Sequence, residues 1–306
     1  MVGFGIPGCR NAGTQILIWA SKPITINVTE APHRLVGARG AISAEYFLQH
    51  GYAVVFFHRS GSSLPYVHKI HKYFGNTLDV NLTSMTACVR SDYVAYLDAL
   101  ELDQTGDRVS ITDNASNYLK PILTEYLRCK SRLVLLPFST VEDYLVGLRG
   151  IVKQLSEYQT QNRLLCCYLA AAVSDFYIPY DQRPLHKIRS RTEEQLTLHL
   201  HPVPKLLRAL MTKWAPQAFV CSFKLETNRN TLIAVASDRI LNSRSHVVVA
   251  NQLNTRAQEV WLVHRLNCGS QLTVEHITLS DPSDLQEDLE KQIVARIVSI
   301  HATIQQ

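Results

Sequence analysis

Three short segments place polar side chains where apolar runs end and a fourth places them in a polar loop, and each has residue types that could hold an anion or a base. They are Ala171-Ala-Val-Ser-Asp175, His186-Lys187, Phe223-Lys-Leu-Glu226 and Val247-Val-Val-Ala-Asn251. In the first, small residues would let a ligand approach the backbone, and Asp175 supplies a charge where the chain leaves the core; an ordinary turn aspartate reads the same way. Lys187 stands three residues after Pro184 in a charged stretch that also holds Pro179. It is either a solvated loop lysine or a compact positive charge that closes over phosphate or a developing oxyanion. Phe223 could stack on a base or simply belong to the core. Glu226 could bond a ribose hydroxyl, help hold Mg²⁺ with phosphates, or only cap the next helix, for which Thr227 and Asn228 are the better caps. Asn251 could read a base edge or make a turn. Pro202-Val-Pro204-Lys205 reads as a helix start with proline in the first turn, leaving Lys205 as a nucleotide contact or a solvent-facing charge.

These residues need a scaffold that brings strand ends together, and the apolar patterning predicts one. Strand candidates are 53–58, 133–137, 164–173, 218–223, 246–250 and 260–264. Helix-length segments 41–50, 114–130, 140–158, 204–214 and 232–242 lie between several of them. Continuous apolar strands alternating with helices predict an α/β fold with a mostly parallel sheet and helices on both faces. Leu289, Ile293, Ile297 and Ile300 predict an amphipathic closing helix. Residues 177–194 read as a long loop, and 64–103 as a surface excursion ending in a helix over 93–102.

The 306 residues are 46% hydrophobic, enough for a substantial core. The net charge of +5 suits anionic small molecules, and no clustered Lys/Arg run points to nucleic acid. Ile16–Ala20 is too short an apolar stretch for a membrane span or signal core. Seven cysteines form no C-x-x-C pair and no zinc-type spacing, which predicts a reducing, cytoplasmic setting with Cys166, Cys167 and Cys221 packed as small hydrophobes. Gly3-Phe-Gly5-Ile-Pro-Gly8 matches G-x-G-x-x-G in spacing, but no strand precedes it, so a dinucleotide site is not expected there.

From Gly37 onward the segments occur in a recognisable order: Gly37-Ala-Arg-Gly-Ala-Ile-Ser-Ala-Glu-Tyr-Phe47, Phe138-Ser-Thr-Val-Glu-Asp-Tyr-Leu145, Ala170–Phe176, His186-Lys-Ile188, Val203-Pro-Lys-Leu-Leu207, Ser222–Thr227 and Val247–Asn251. This series resembles the eukaryotic phosphopantothenate–cysteine ligases. The resemblance implies a Rossmann-like fold and a homodimer acting in coenzyme A synthesis. It also implies ligation of 4′-phosphopantothenate to cysteine through an acyl nucleotide, with ATP and Mg²⁺. By matching positions it makes Lys187 the catalytic loop lysine. Ala171, Ala172, Val173, Asp175, Lys205, Phe223, Lys224, Glu226 and Asn251 would then surround the nucleotide, with Gly37, Arg39 and Gly40 at the substrate phosphate. Residues 37–306 would form one domain. Residues 1–36 depart from the family, which carries Asn-Phe-Ser-Ser-Gly where this chain reads His33-Arg-Leu-Val-Gly37, and they lack its glycine-pair loop. That departure opens the alternative of an impaired member that binds ligand without ligating it.

Overall fold

The computed structural model describes residues 16–20, 38–75, 96–159, 165–170, 176–182, 199–265, 271–279 and 288–304. The first half runs β1 (Ile16–Ala20), α1 (Ala38–Gln49), β2 (Ala53–Arg59), α2 (Val67–Gly75), β3 (Leu100–Leu102), β4 (Val109–Ile111), α3 (Asp113–Cys129), β5 (Leu133–Phe138) and α4 (Val141–Ser156). Then follow β6 (Leu165–Leu169), β7 (Phe176–Tyr177), β8 (His201–Pro202) and α5 (Leu206–Ala209), which continues in wider π-type turns over Leu210–Trp214. The chain ends with β9 (Phe219–Glu226), α6 (Arg229–Ser243), β10 (Val247–Gln252), β11 (Glu259–His264), β12 (Thr273–Thr278) and α7 (Leu289–Ile304).

Eight strands form one sheet in the order β12-β11-β10-β9-β6-β1-β2-β5. From β5 to β10 every neighbouring pair is parallel, and β11 and β12 add on antiparallel. The parallel strands therefore run outward from β1 in both directions, and the strand order reverses between β1 and β6. This is the Rossmann-like arrangement, with its topological switch point at that reversal.

Strand alternation sorts the core onto two faces. Val54, Phe56, Cys166, Tyr168, Phe219, Cys221, Val247 and Val249 meet α1 and α7. Their neighbours Phe57, Leu165, Cys167 and Val220 meet α4 and α5, while Val248, Ala250, Trp261 and Val263 meet α6. Strands buried on both faces have to be continuously apolar, which is why Leu165–Tyr168 and Val247–Ala250 read as runs. The three cysteines predicted to pack as hydrophobes are fully buried, and burial pushes their thiols up in pKa. The α7 stripe predicted from spacing (Leu289, Ile293, Ile297, Ile300) is buried to 2% exposure or less, each residue contributing about 2 kcal/mol.

Local chemistry sets the helix ends. Thr140 Oγ1 accepts from the Asp143 N–H at 3.1 Å while Asp143 Oδ2 accepts from the Thr140 N–H at 2.9 Å, a reciprocal cap for α4. The Asn228 side chain accepts from the Asn230 N–H at 3.0 Å and starts α6, as the sequence suggested. After α1 the chain turns at Gly51, whose φ of +88° an L side chain rarely adopts. Glu45 of α1, 2% exposed, accepts from the Tyr66 N–H at 2.6 Å and pairs with His68 Nε2 at 2.7 Å and Lys69 Nζ at 2.5 Å. Burial alone would raise its pKa; the His68 and Lys69 contacts outweigh that and lower it, so a buried carboxylate anchors the start of α2.

Some expectations are corrected. Residues 100–102 are not the end of a helix: Leu100–Leu102 pairs antiparallel with Val109–Ile111 as a two-stranded ribbon. The helix after Pro204 begins at Leu206 with Lys205 as its N-cap, so the proline lies before the cap rather than in the first turn. The strand expected over 164–173 ends at Leu169. The stretch read as a loop from 177 is clasped at its base, where Phe176 pairs with Pro202 and Tyr177 with His201.

Candidate functional site

Strand connectivity gathers several helix N-termini at one edge of the sheet. In a parallel sheet each helix starts where the preceding strand ends, so α1 begins at the carboxyl edge beside β1 and α6 begins beside β9. Two antiparallel steps later, α7 starts at the same edge. Helix N-termini present unpaired N–H groups and the positive end of the macrodipole, a setting that favours anions.

Of the expected phosphate residues, Arg39 and Gly40 fall in the first turn of α1, and Gly37 lies outside the described residues. The Arg39 side chain, 20% exposed, donates through Nε to Glu290 Oε1 at 2.8 Å and through Nη2 to the Arg256 carbonyl. Its Nη1 is buried and has no hydrogen-bond partner among the described residues. Glu290 stands in the first turn of α7, and Arg256 in the turn between β10 and β11. Next to Glu45 on α1, the Tyr46 hydroxyl donates to Asp288 at 2.8 Å; burial and the Asp288 carboxylate both push its pKa up.

Phe223 and Asn251 lie on the α1 side of the sheet. The Phe223 ring meets Tyr168 edge-to-face at 5.0 Å, and the fully buried Tyr168 hydroxyl lies 3.2 Å from Ser43 Oγ of α1. Asn251, 7% exposed, is in register with Leu225 of β9. Lys224 and Glu226 project to the opposite face, because β9 continues as a strand through Glu226; their side chains form an ion pair at 2.9 Å. Lys205 belongs to that second face too, exposed at the start of a helix whose Leu206, Leu207 and Leu210 pack with Phe57 and Val220. The residues expected around one nucleotide are thus divided by the sheet, with Phe223 and Asn251 on one side and Lys205, Lys224 and Glu226 on the other. Ala171, Ala172, Val173, Asp175 and Lys187 lie outside the described residues; the first four follow directly after β6 in the chain.

Sequence reading missed Glu290, Asp288, Tyr46 and Arg256. An acidic pair opening an amphipathic helix was the available signal. Its partner, 251 positions away in the chain, was not visible. His58 also reaches this edge from β2. It is 7% exposed, its Nδ1 lies 3.1 Å from the Arg59 carbonyl, and burial lowers its pKa.

A groove of about 510 Å³ opens two strands away, between β5 and α4, lined by Phe57, Phe138, Glu142 and Gly147 among others. None of the expected site residues lines it, and the switch point is the better candidate, since ligands of open α/β sheets bind where strand order reverses. Among the described residues, no cluster of three His, Cys, Asp or Glu side chains could hold a metal ion. Mg²⁺ carried by a triphosphate needs only one or two protein carboxylates, and Glu226 offers one. No helix among the described residues is long and apolar enough to cross a membrane.

Residues 151–299 match the model of the DNA/pantothenate metabolism flavoprotein C-terminal domain. The chain is 34% identical to a phosphopantothenate–cysteine ligase of Homo sapiens over 258 residues, covering 82% of this chain and 76% of that protein. It is 34% identical over 247 residues to the Saccharomyces cerevisiae ligase, of whose length it spans 60%. A solved structure of a Cab2 mutant superposes with a TM-score of 0.69 at 30% identity, covering 94% of this chain and 86% of that one. The same mutant solved in complex with phosphopantothenate-cysteine gives 0.68.

Proposed function

The chain belongs to the phosphopantothenate–cysteine ligase family, and from that premise we propose that it joins 4′-phosphopantothenate to cysteine with cleavage of ATP. The observation that carries the reading is the reversal of strand order between β1 and β6. It sets the α1 N-terminus, with Arg39 and Gly40, at the same edge of the sheet as the carboxyl ends of β6, β9 and β10.

A carboxylate is a poor acyl donor at neutral pH. A carboxylate oxygen of phosphopantothenate attacks the α-phosphorus of ATP, the bond to the β-phosphate breaks, and pyrophosphate leaves. The cysteine amine then attacks the acyl carbon, loses a proton and displaces AMP as the amide forms. The protein's contribution is positioning and charge neutralisation, and no protein nucleophile is needed. In this reading the α1 N-terminus with Gly37, Arg39 and Gly40 takes the substrate phosphate. Ala171, Ala172, Val173 and Asp175 wall a nucleotide lying across the strand ends, which Phe223 and Asn251 approach from the α1 side of the sheet and Lys205 and Lys224 from the other. Lys187 serves acyl transfer. Mg²⁺ bound with ATP near Glu226 would offset charge on the departing pyrophosphate.

The reading extends to a cytosolic homodimer with one domain, 37–306 joined by β1 (Ile16–Ala20), which lies inside its sheet. An exposed aliphatic surface supports the dimer. Leu100 and Leu102 of β3 face the same way as Val109 and Ile111 of β4, all 45–65% exposed, and Leu123, Tyr126 and Leu127 form an exposed stripe on α3. The second reading, a member that binds without ligating, is favoured by His33-Arg-Leu-Val-Gly37 standing where the family carries asparagine and serines.

Pyrophosphate release by the 306-residue chain, given ATP, Mg²⁺ and 4′-phosphopantothenate with and without cysteine, tests both. The ligase reading expects pyrophosphate and the cysteine adduct, with a Lys187→Ala variant slowed at least about 100-fold. Binding of phosphopantothenate with no pyrophosphate would leave the second reading standing.

A further inference from the structure

The end of α7 farthest from the candidate site rests on two imidazoles whose surroundings leave no place for a proton. His246 Nδ1 accepts from the N–H of the fully buried Val220 at 3.1 Å, so a proton on that nitrogen would set two donors against each other. His301, 0% exposed in the last turn of α7, has its Nδ1 2.9 Å from the Tyr52 hydroxyl. Both rings lie against Phe219, with centroids 5.1 and 4.8 Å from it, so a charge on one imidazole repels a charge on the other. The turn before β2 contributes Tyr52, whose carbonyl already accepts from the Arg132 guanidinium at 2.9 Å. From β6 comes Cys166, in register with Phe219. Burial keeps the Tyr52 phenol and the Cys166 thiol protonated, so none of these neighbours offers a negative charge.

We propose that residues 297–304 of α7 form an acid-released latch: protonation of His246 and His301 detaches this end of the helix from Tyr52 and Phe219 while the remainder stays docked. Just before the latch, Arg296 donates through Nε and Nη2 to Glu275 at 2.6 Å each, and His264 Nε2 lies 2.5 Å from the same carboxylate. The Arg296 guanidinium holds the Glu275 carboxyl down at about 2, so this pin stays charged in mild acid. The first turn of α7 is held separately, by Glu290 on Arg39. Burial brings both latch imidazoles down to about 4. Once released they titrate near 6.5. The open end therefore binds more protons between those values, and docking is complete above about pH 6.5 and weakens as pH falls towards 4. Helix ends open at lower free energy than core strands, so the latch releases before the sheet comes apart.

Two adjacent thiols report the event. Cys166 lies on the α7 face of the sheet and Cys167 on the α4 and α5 face, both fully buried. The intact chain is pulsed with 4,4′-dithiodipyridine, a thiol reagent active in mild acid, and the two sites are resolved by fragment-ion mass spectrometry. A free thiol labelled at each pH gives the reference rate. Relative to it, Cys166 labelling is expected to rise at least about tenfold between about pH 6.5 and 4.5, and Cys167 labelling by less than about twofold. His301→Gln and His246→Asn should each shrink the rise, and the double variant should hold it to about twofold or less. Equal rises at both thiols would mean that acid opens the whole sheet, a full rise in the double variant would put the sensor elsewhere, and a flat Cys166 profile would mean that the helix end stays docked. Each of these overturns the proposal. Should the double variant fail to fold, the contrast between Cys166 and Cys167 in the unaltered chain decides.

Discussion

Gly147 and Gly150 lie one turn apart on α4, and their surroundings predict opposite responses to the same substitution. A Cβ at Gly147 would come within 2.6 Å of the Phe57 ring, whereas one at Gly150 meets nothing within 4 Å. Gly147→Ala is expected to cost about 1–3 kcal/mol through overpacking. Gly150→Ala should add up to about 1 kcal/mol from helix propensity. Urea midpoints of the two variants against the parent would give the signs directly. The same scale explains what was legible in the site. Residue types announced Phe223, Glu226 and Asn251 as strand-end residues; Glu226 and Asn251 stand at the carboxyl ends of β9 and β10, whereas Phe223 lies inside β9, opposite Val249. The sequence did not tell which side each occupies. Hydrophobicity ends at Phe223, so the strand was expected to end there, but hydrogen bonding with β10 carries β9 on to Glu226 opposite Gln252. Three more residues of pleat send Lys224 and Glu226 to the face away from Phe223.

Elements with their own chemical punctuation were predicted closely. The strands of the parallel sheet, α4 with its Thr140–Asp143 cap and α7 with its apolar stripe lie within a few residues of where patterning put them. Replacing Thr140 by alanine is expected to cost about 1 kcal/mol, readable as a lowered thermal midpoint. The elements that were missed lack such signals. β12 alternates half-buried and exposed residues and is a polar edge strand, and β3–β4 is six residues of exposed ribbon whose pairing depends on a turn at Gly106. The far end of α7 carries a pH response. His301 Nδ1 lies 2.9 Å from the Tyr52 hydroxyl, and His246 Nδ1 accepts from the Val220 N–H at 3.1 Å. Burial drives both imidazoles down to about 4. In the unfolded chain they titrate near 6.5. Between those values the unfolded state binds more protons, so stability is full above about pH 6.5 and falls as pH drops to about 4. Urea midpoints measured from pH 7 to 4 should decline across that window, and a His301→Gln variant should show a shallower decline.

Across the whole molecule, the exposed aliphatic ribbon is the feature that an isolated protomer leaves unexplained. Two-stranded ribbons are marginal in water alone, and one presenting Leu100, Leu102, Val109 and Ile111 to solvent is a candidate contact between copies. Leu102→Glu is expected to convert the proposed dimer to monomer in sedimentation velocity while the far-ultraviolet circular dichroism stays unchanged; persistence of the dimer would place the contact elsewhere. The position of β1 at the middle of the sheet carries a consequence of a different kind. Ile16 lines up with Ala53 on one side and with Leu165 on the other. During synthesis the first neighbour emerges promptly, but the second follows only after roughly 10–30 s of translation. Through that interval the nascent chain can hold a three-stranded half-sheet of β5, β2 and β1 whose inner edge is bare, and a bare, flat edge is a template for pairing with other chains. A ribosome stalled before Leu165 should therefore carry a chain that recruits chaperones or aggregates, and one stalled well past β10 should not.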